Sequence, residues 1–418
     1  MVYIAMKKII IPIFLLVLFM NNAEGKYFIS ARGNNIGEYN IFSSKDTLFT
    51  ITKLSFNILG FKKEIYDTTY AIINPDYTLK SFYYKHVEGR KTKIIRGSVC
   101  DNYVLLEGDD NRKIPFKSGD RIYSDIGIEL FLRKIKIDDS LSILSSGLWD
   151  IKKMRVRTSK DTTMIISGSG TFEYIYKDNI FIDMIGPGGL KISQIEKTFP
   201  GTDILNSYKI KAIGDKISET RMYKKIVIEK PDSVRFNNYN GFQSVSSNYL
   251  FIKPRSVFDT LNDNSLLIST NYYDFDNLIF KDIIMQLKLN SIIEITEYIH
   301  KIMKPHPNMY PERASEIFSN HNGDCSEYAT LLTALLRASN YPAYNVYGLI
   351  FMKGYYYYHA WVRVKGDKGW FCVDPTRGCI CDAKYIILQE DKTGGFSKDI
   401  KFLPISKLKI MYSEVLDD

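Results

Sequence analysis

The chain has 418 residues, five cysteines and a net charge of +9, from 56 Lys and Arg against 47 Asp and Glu. Its lysines are scattered and form no basic helical stripe. That pattern suits a solvated surface with weak attraction to anionic envelope polymers and sets nucleic acid aside as a partner. Beyond residue 25, no apolar run reaches the length that spans a bilayer as a helix.

Met6-Lys7-Lys8, the apolar run Ile9 to Phe19 and the stretch Asn21 to Gly25 have the basic, apolar and cleavage regions of a secretory signal. The expectation is a signal over 1–25, no cysteine at the cut to carry a lipid, and an exported protein, periplasmic or secreted, without stable membrane insertion. Residues 26–270 read as mainly antiparallel β structure. Thr171 to Tyr176 alternates, with Phe172, Tyr174 and Tyr176 on one face, and Asp67 to Ile73, Tyr77 to His86, Met154 to Arg157 and Met164 to Ser167 are further strands. Asn74-Pro75-Asp76 and Glu107-Gly108-Asp109-Asp110 supply turns. Such punctuation predicts a sandwich or open barrel. Gly186-Pro187-Gly188-Gly189 marks a break, near 186–200, between two possible β subdomains.

A further domain is expected over 271–418. Ser291-Ile292-Ile293-Glu294 has capping-box spacing, and Ile292, Ile295, Ile299 and Ile302 recur at helical intervals until Pro305-His306-Pro307. His300 and His306, on this helix and its exit, are assigned surface or packing roles. Pro311 to Phe318 is a second short helix. A third runs from Cys325 to Ala338, with Ala329, Leu332, Leu335 and Leu336 on one face, Asp324 as N-cap and Glu327 three residues on.

Cys325 then lies in the first helical turn, where free N–H groups and the helix dipole favour a negative sulfur. An imidazolium at His359 would add to this, so the sequence predicts a thiol pKa below the ordinary one. His359 shares a strand face with Trp361 and Arg363, while Ala360, Val362 and Val364 make the other. If Gly366 to Gly369 is the connecting loop, Lys365 pairs with Trp370, Trp361 with Asp374, and Asp374 reaches His359 diagonally. A slip of one residue would put Asp374 on the wrong face. Nucleophile, base and orienting carboxylate together make a thiol acyl-transfer site. The Cys325 N–H is the natural oxyanion donor, and His321 and Asn322 are assigned to a solvated loop. Tyr355 and Tyr357 fall on the His359 face, either through plain strand propensity or as an aromatic wall beside the nucleophile.

Gly323-Asp324-Cys325 with Ala329, His359-Ala360-Trp361-Val362, and Gly369-Trp370 with Val373-Asp374-Pro375-Thr376 resemble the three boxes of the transglutaminase-like superfamily, over roughly Ala314 to Gly378. The resemblance implies a papain-like core in which Cys325 attacks a carboxamide or peptide carbonyl to form a thioester. His359 would protonate the leaving nitrogen and activate the acceptor, and Asp374 would hold His359. No metal or organic cofactor is implied. Asn340 stands where the family commonly ends this helix with glycine, and asparagine tolerates the left-handed conformation needed there. The ladder after residues 33–38 resembles β domains that precede the core in some bacterial members, with aromatics that either fill its interior or line a substrate groove.

The predicted fold class is thus α+β: a C-terminal papain-like core behind a mainly antiparallel β region. The predicted activity is hydrolysis of amide or peptide bonds in a protein or peptide substrate by an exported cysteine enzyme. Protein-glutamine cross-linking and a non-catalytic envelope-binding module are the rivals. Outside the site, Cys372 is expected to bridge to Cys379 or Cys381 in an oxidising compartment. Cys379-Ile380-Cys381 makes a poor metal site without a histidine pair.

Overall fold

The computed structural model describes residues 23–416 apart from 32–33, 59–60, 90, 135–139, 147–148, 168–169, 187–188, 195–207, 255–263, 288–290, 307–311 and 395–402. The expected signal over 1–25 lies almost wholly outside the described residues. The chain divides into two compact units, Met1–Ile204 and Leu205–Asp418.

The first unit is built on one fifteen-stranded sheet. Eight strands, from Ala23–Ala31 to Lys113–Pro115, pair in chain order, each with the next, as do seven from Ile122–Ser124 to Leu190–Ser193. The two series meet where Ala23–Ala31 runs antiparallel to Leu190–Ser193, with Ile29 opposite Ile192. Alternation decides what lies inside: along Leu79–Glu88 the buried side chains are Leu79, Phe82, Tyr84 and His86. The sheet folds over on itself, since Phe82 of the first series stacks on Trp149 of the second with ring centroids 4.7 Å apart. Tyr39 and Tyr176, again from the two series, both donate to Glu129, one to its carboxylate and one to its carbonyl. The strands flanking Gly186 to Gly189, Ile180–Ile185 and Leu190–Ser193, pair with each other. Gly186 and Gly189 therefore flank a hairpin, and the division between the two units falls after it, at Ile204 and Leu205. Gly and Pro punctuate tight turns as readily as linkers, and Gly189 has a φ of 81°.

The second unit carries a sheet ordered Gln243–Val245, Tyr249–Ile252, Tyr223–Glu229, Lys407–Val415, Ile210–Gly214, Tyr355–Gly366, Ala343–Met352, Tyr385–Asp391. Four strands between 210 and 252 belong to it, so this unit begins well before Asn271. In sequence those strands look like the ones before them, and only their pairing partners assign them here. One face of the sheet, with Ala343, Ala360, Val362 and Val364, packs under the helices Ile292–Ile302 and Cys325–Ala338. Trp361, Trp370, Tyr385 and Ile386 belong to a separate core.

Gly348 is fixed by close approach. It pairs with His359 on one side and Ile387 on the other. A Cβ there would strike the Ile386 carbonyl oxygen and lie 2.6 Å from the Trp361 ring. Gly348→Ala is expected to destabilise the unit by about 1–3 kcal/mol through overpacking. Thermal unfolding checks this, and an unchanged Tm would show that the two neighbouring strands yield freely.

Candidate active site

The position of Cys325 is set by how its helix starts and ends. Asp324 accepts from the Ser326 N–H at 2.9 Å, and its own N–H donates to Glu327 at 2.9 Å, completing the capping box read from the sequence. Gly323 permits this, because a Cβ at that residue would run into the Glu327 side chain. The helix spans Cys325–Ala338 and closes with Asn340 at φ 64°, Asn340 N–H to Arg337 O at 2.9 Å and Tyr341 N–H to Leu336 O at 2.8 Å. That is a Schellman ending with asparagine in the left-handed place. Buried polar ties seat the helix on the next strand: Thr333 donates to Asn345 at 2.7 Å, Asn345 to Thr330 at 3.0 Å, and Arg337 Nε to the Ala343 carbonyl at 2.8 Å.

The predicted register holds. Lys365 pairs with Trp370 and Gly366 with Gly369, so only Asp367 and Lys368 lie in the turn and Asp374 falls on the His359 face. His359 Nε2 donates to Asp374 Oδ2 at 2.9 Å. Along one edge the His359 strand is paired throughout by Ala343–Met352. Along the other it meets Ile210 and Lys211 at Tyr356 and Tyr355, then the Asp374 strand from Val362 onward. Among the described residues no strand pairs with 357–361 on that edge, and His359 sits in this gap with a side chain 12% exposed.

Asp374 is wholly buried, yet both its oxygens are satisfied. Oδ2 also accepts from Tyr385 Oη at 2.8 Å, and Oδ1 accepts from Thr376 N–H at 2.9 Å and Thr376 Oγ1 at 2.6 Å. Burial pushes the carboxyl up, but the charge of His359 and the hydrogen bonds from His359, Thr376 and Tyr385 outweigh it. The net effect holds Asp374 below its ordinary 3.8. Thr376 stands two residues past the aspartate and closes a local turn that its position could suggest. Tyr385 comes from a different strand, and no local pattern in the sequence points to it.

Cys325 is partly buried, and the N–H of Ala360, the residue after His359, draws its thiol pKa down. No hydrogen bond joins Cys325 to His359; the structure brings His359 to Asp374 and places the sulfur beside their strand. The expectation of a depressed thiol pKa is overturned. Burial, then the charge of Asp324, drives the thiol well above its ordinary 9.0, with Glu327 and Asp374 adding to the rise, against the pull of the Ala360 N–H. The capping carboxyls that start the helix thus oppose the helix dipole at the sulfur. Glu327 is itself driven up, first by burial and then by Asp324.

Asn322 donates to the Asn320 carbonyl at 3.2 Å, and His321, at φ 50°, ends the preceding helix Ala314–Asn320. Tyr355 and Tyr357 share a face with ring centroids 6.4 Å apart, while Tyr356 packs on Phe351 and the Tyr358 hydroxyl accepts from Leu403 N–H at 2.7 Å. The rings beside His359 are Trp361 and Tyr385, at 6.1 Å and 6.4 Å.

Residues 286–375 match the model of the transglutaminase-like superfamily. No curated protein sequence matches the chain significantly. Among solved structures, a candidate cysteine protease from Cytophaga hutchinsonii is 12% identical, with 47% of this chain and 84% of that one covered and a TM-score of 0.31. A DUF1089 family protein from Pseudomonas aeruginosa is 10% identical, with 35% and 88% covered and a TM-score of 0.28. Overlays this partial carry no argument about fold or activity.

Two outcomes follow from the charges around the site. Alkylation of Cys325 by iodoacetamide is expected to accelerate only above the ordinary thiol range. Asp324→Asn keeps a good N-cap but removes its charge, and is expected to move that profile to lower pH. A profile already half-complete below neutral pH in the unchanged chain would contradict this account. For Asp374, whose folded pKa lies below the unfolded one, the stabilisation is full above the ordinary 3.8 and is lost as pH falls through the lowered folded value. Tyr385→Phe removes one supporting bond, costing about 1 kcal/mol, and is expected to flatten the fall in Tm across that acid window. An identical acid limb would remove Tyr385 from the set that holds the carboxylate.

Proposed function

We propose that the chain, whose residues 286–375 match the transglutaminase-like superfamily, is a cysteine enzyme hydrolysing amide or peptide bonds through a thioester on Cys325. The observation that carries the reading is the 2.9 Å bond from His359 to a fully buried Asp374.

Asp374 occupies Nε2, which leaves Nδ1 as the nitrogen that takes the Cys325 proton. With the thiol held neutral at rest, sulfur attack on the carbonyl carbon and proton transfer to Nδ1 occur together. Asp374 then stabilises the imidazolium without taking its proton. The Cys325 N–H is the proposed donor to the oxyanion. Collapse breaks the C–N bond as His359 returns the proton to the leaving nitrogen. Water next attacks the thioester, His359 accepts its proton, and the sulfur leaves to be reprotonated as the acid product departs.

Water is favoured as acceptor because both Cys325 and His359 keep solvent contact. The proposed place of action is outside the cytoplasm, on protein or peptide substrates of the envelope, and rests on the signal-like segment over 1–25.

Turnover of a panel of acyl-blocked peptide amides in ¹⁸O-water is expected to place one heavy oxygen in the new carboxylate. Cys325→Ala is expected to abolish the reaction, and Asp374→Asn to lower kcat by about 10²–10⁴-fold. A product carrying an added primary amine in place of heavy oxygen would assign the chain to cross-linking. Undiminished turnover in Cys325→Ala would end the thioester reading.

A further inference from the structure

Two buried thiols stand apart from the acyl-transfer steps: Cys372, two residues before Asp374, and Cys381, seven after it. The strand Gly369–Asp374 pairs antiparallel with Cys379–Ile380, with Val373 opposite Ile380 and Asp374 opposite Cys379. One step further along this register, Cys372 faces Cys381, and the Cys381 N–H donates to the Cys372 carbonyl at 2.9 Å. We propose that Cys372 and Cys381 form a cross-strand disulfide that clamps the strand carrying Asp374.

Directly opposed residues on antiparallel strands have Cα atoms about 4.5–5.5 Å apart and side chains on one face. That lies inside the range of about 4.4–6.8 Å that a disulfide spans. Cys379 is the other partner open to Cys372, but it lies diagonal to it, at a separation of about 7–8 Å. That is beyond the reach of a bridge without backbone movement. The charge of Cys372 also ranks directly after burial among the influences on the Cys381 thiol, as expected of near neighbours.

Access is built in. Cys372 and Cys381 are 2% and 4% exposed, but both line a cavity of about 620 Å³ open to solvent, together with Met222, Phe242, Phe371 and Ile380. The oxidant is a small-molecule or protein disulfide. The thiolate of one cysteine attacks it, forming a mixed disulfide and releasing one half as a thiol. The second cysteine attacks the mixed disulfide and releases the other half. Two electrons and two protons thus leave the pair, and the oxidant becomes two thiols. Burial pushes the Cys372 thiol up to about 12 and raises Cys381 as well. Thiols with high pKa leave poorly, so the bond forms slowly and resists reduction once made. The loop it closes runs from Val373 to Ile380 and contains both Asp374 and its partner Thr376.

The test uses the full chain carrying Cys325→Ser, treated with oxidised glutathione, then denatured, alkylated and mapped by mass. The expected result is that Cys372 and Cys381 escape alkylation as one linked pair, and that Tm rises by about 5 °C. Cys381→Ser should free Cys372 for alkylation, and Cys379→Ser should change nothing. Full alkylation of Cys372 and Cys381 after oxidation, or a link from Cys372 to Cys379, would overturn the proposal. Should Cys381→Ser fail to fold, the parent map alone decides. No step of this readout depends on the catalytic reading.

Discussion

A carboxylate with no solvent contact survives in a protein interior only if its charge is paired and its lone pairs are filled. Asp374 meets both conditions through partners drawn from three places: His359 from the neighbouring strand, Tyr385 from a strand beyond it, and Thr376 from its own turn. Much of the second unit serves this one group. The hairpin register delivers Asp374 to the His359 face, and the fully buried Trp361 and Tyr385 pack edge-on at 5.2 Å beside it. Gly348 lets the three central strands close around Trp361. The imidazole's orientation is therefore a property of the whole sheet, since moving any of these strands strips a bond from a buried charge.

The thiol follows the opposite logic. A helix N-terminus offers a sulfur about 0.3–1 kcal/mol in favour of the anion. The same helix needs an N-cap, worth about 1 kcal/mol, and here the cap is an aspartate backed by a glutamate. Two carboxyls and burial outweigh one dipole and one N–H, so the resting site holds a neutral thiol. In the proposed reaction charge separates only as sulfur attacks, when Asp374 is already placed to receive the imidazolium. Such an arrangement spares the free protein an exposed, oxidisable thiolate while keeping the base oriented.

Local signals in the sequence were sufficient for much of this. Capping boxes at Ser291 and Asp324, the apolar stripe of the Cys325 helix and the turn after Gly366 each depend on residues within a few positions of one another, and all stand in the structure. Tyr385 was not legible, because its role depends on which strand lies beside Asp374. Nor was the assignment of strands 210–252 to the second unit, since strand partners far apart in the chain leave no periodic trace. The raised thiol pKa is hidden for a different reason: spacing marks Asp324 as a cap and Cys325 as a beneficiary of the dipole, while the charge of that cap acts against the thiolate.

Among the described residues no strand pairs with 357–361 on one edge, which lets a group there be rigid and reachable at once. A strand paired on both edges would hold His359 firmly but bury it, and a strand free along one edge would expose it without fixing it. Here the strand changes neighbours, from Ile210–Lys211 at one end to the Asp374 strand at the other, and His359 occupies the interval. Its partner on the paired edge is Gly348, where the register between Ala343–Met352 and Tyr385–Asp391 also shifts by a residue. A bulge of that kind re-aims a strand locally without breaking the sheet. Opening on one side and adjustment on the other thus coincide at a single residue, which retains 12% side-chain exposure while bonded to a carboxylate that has none.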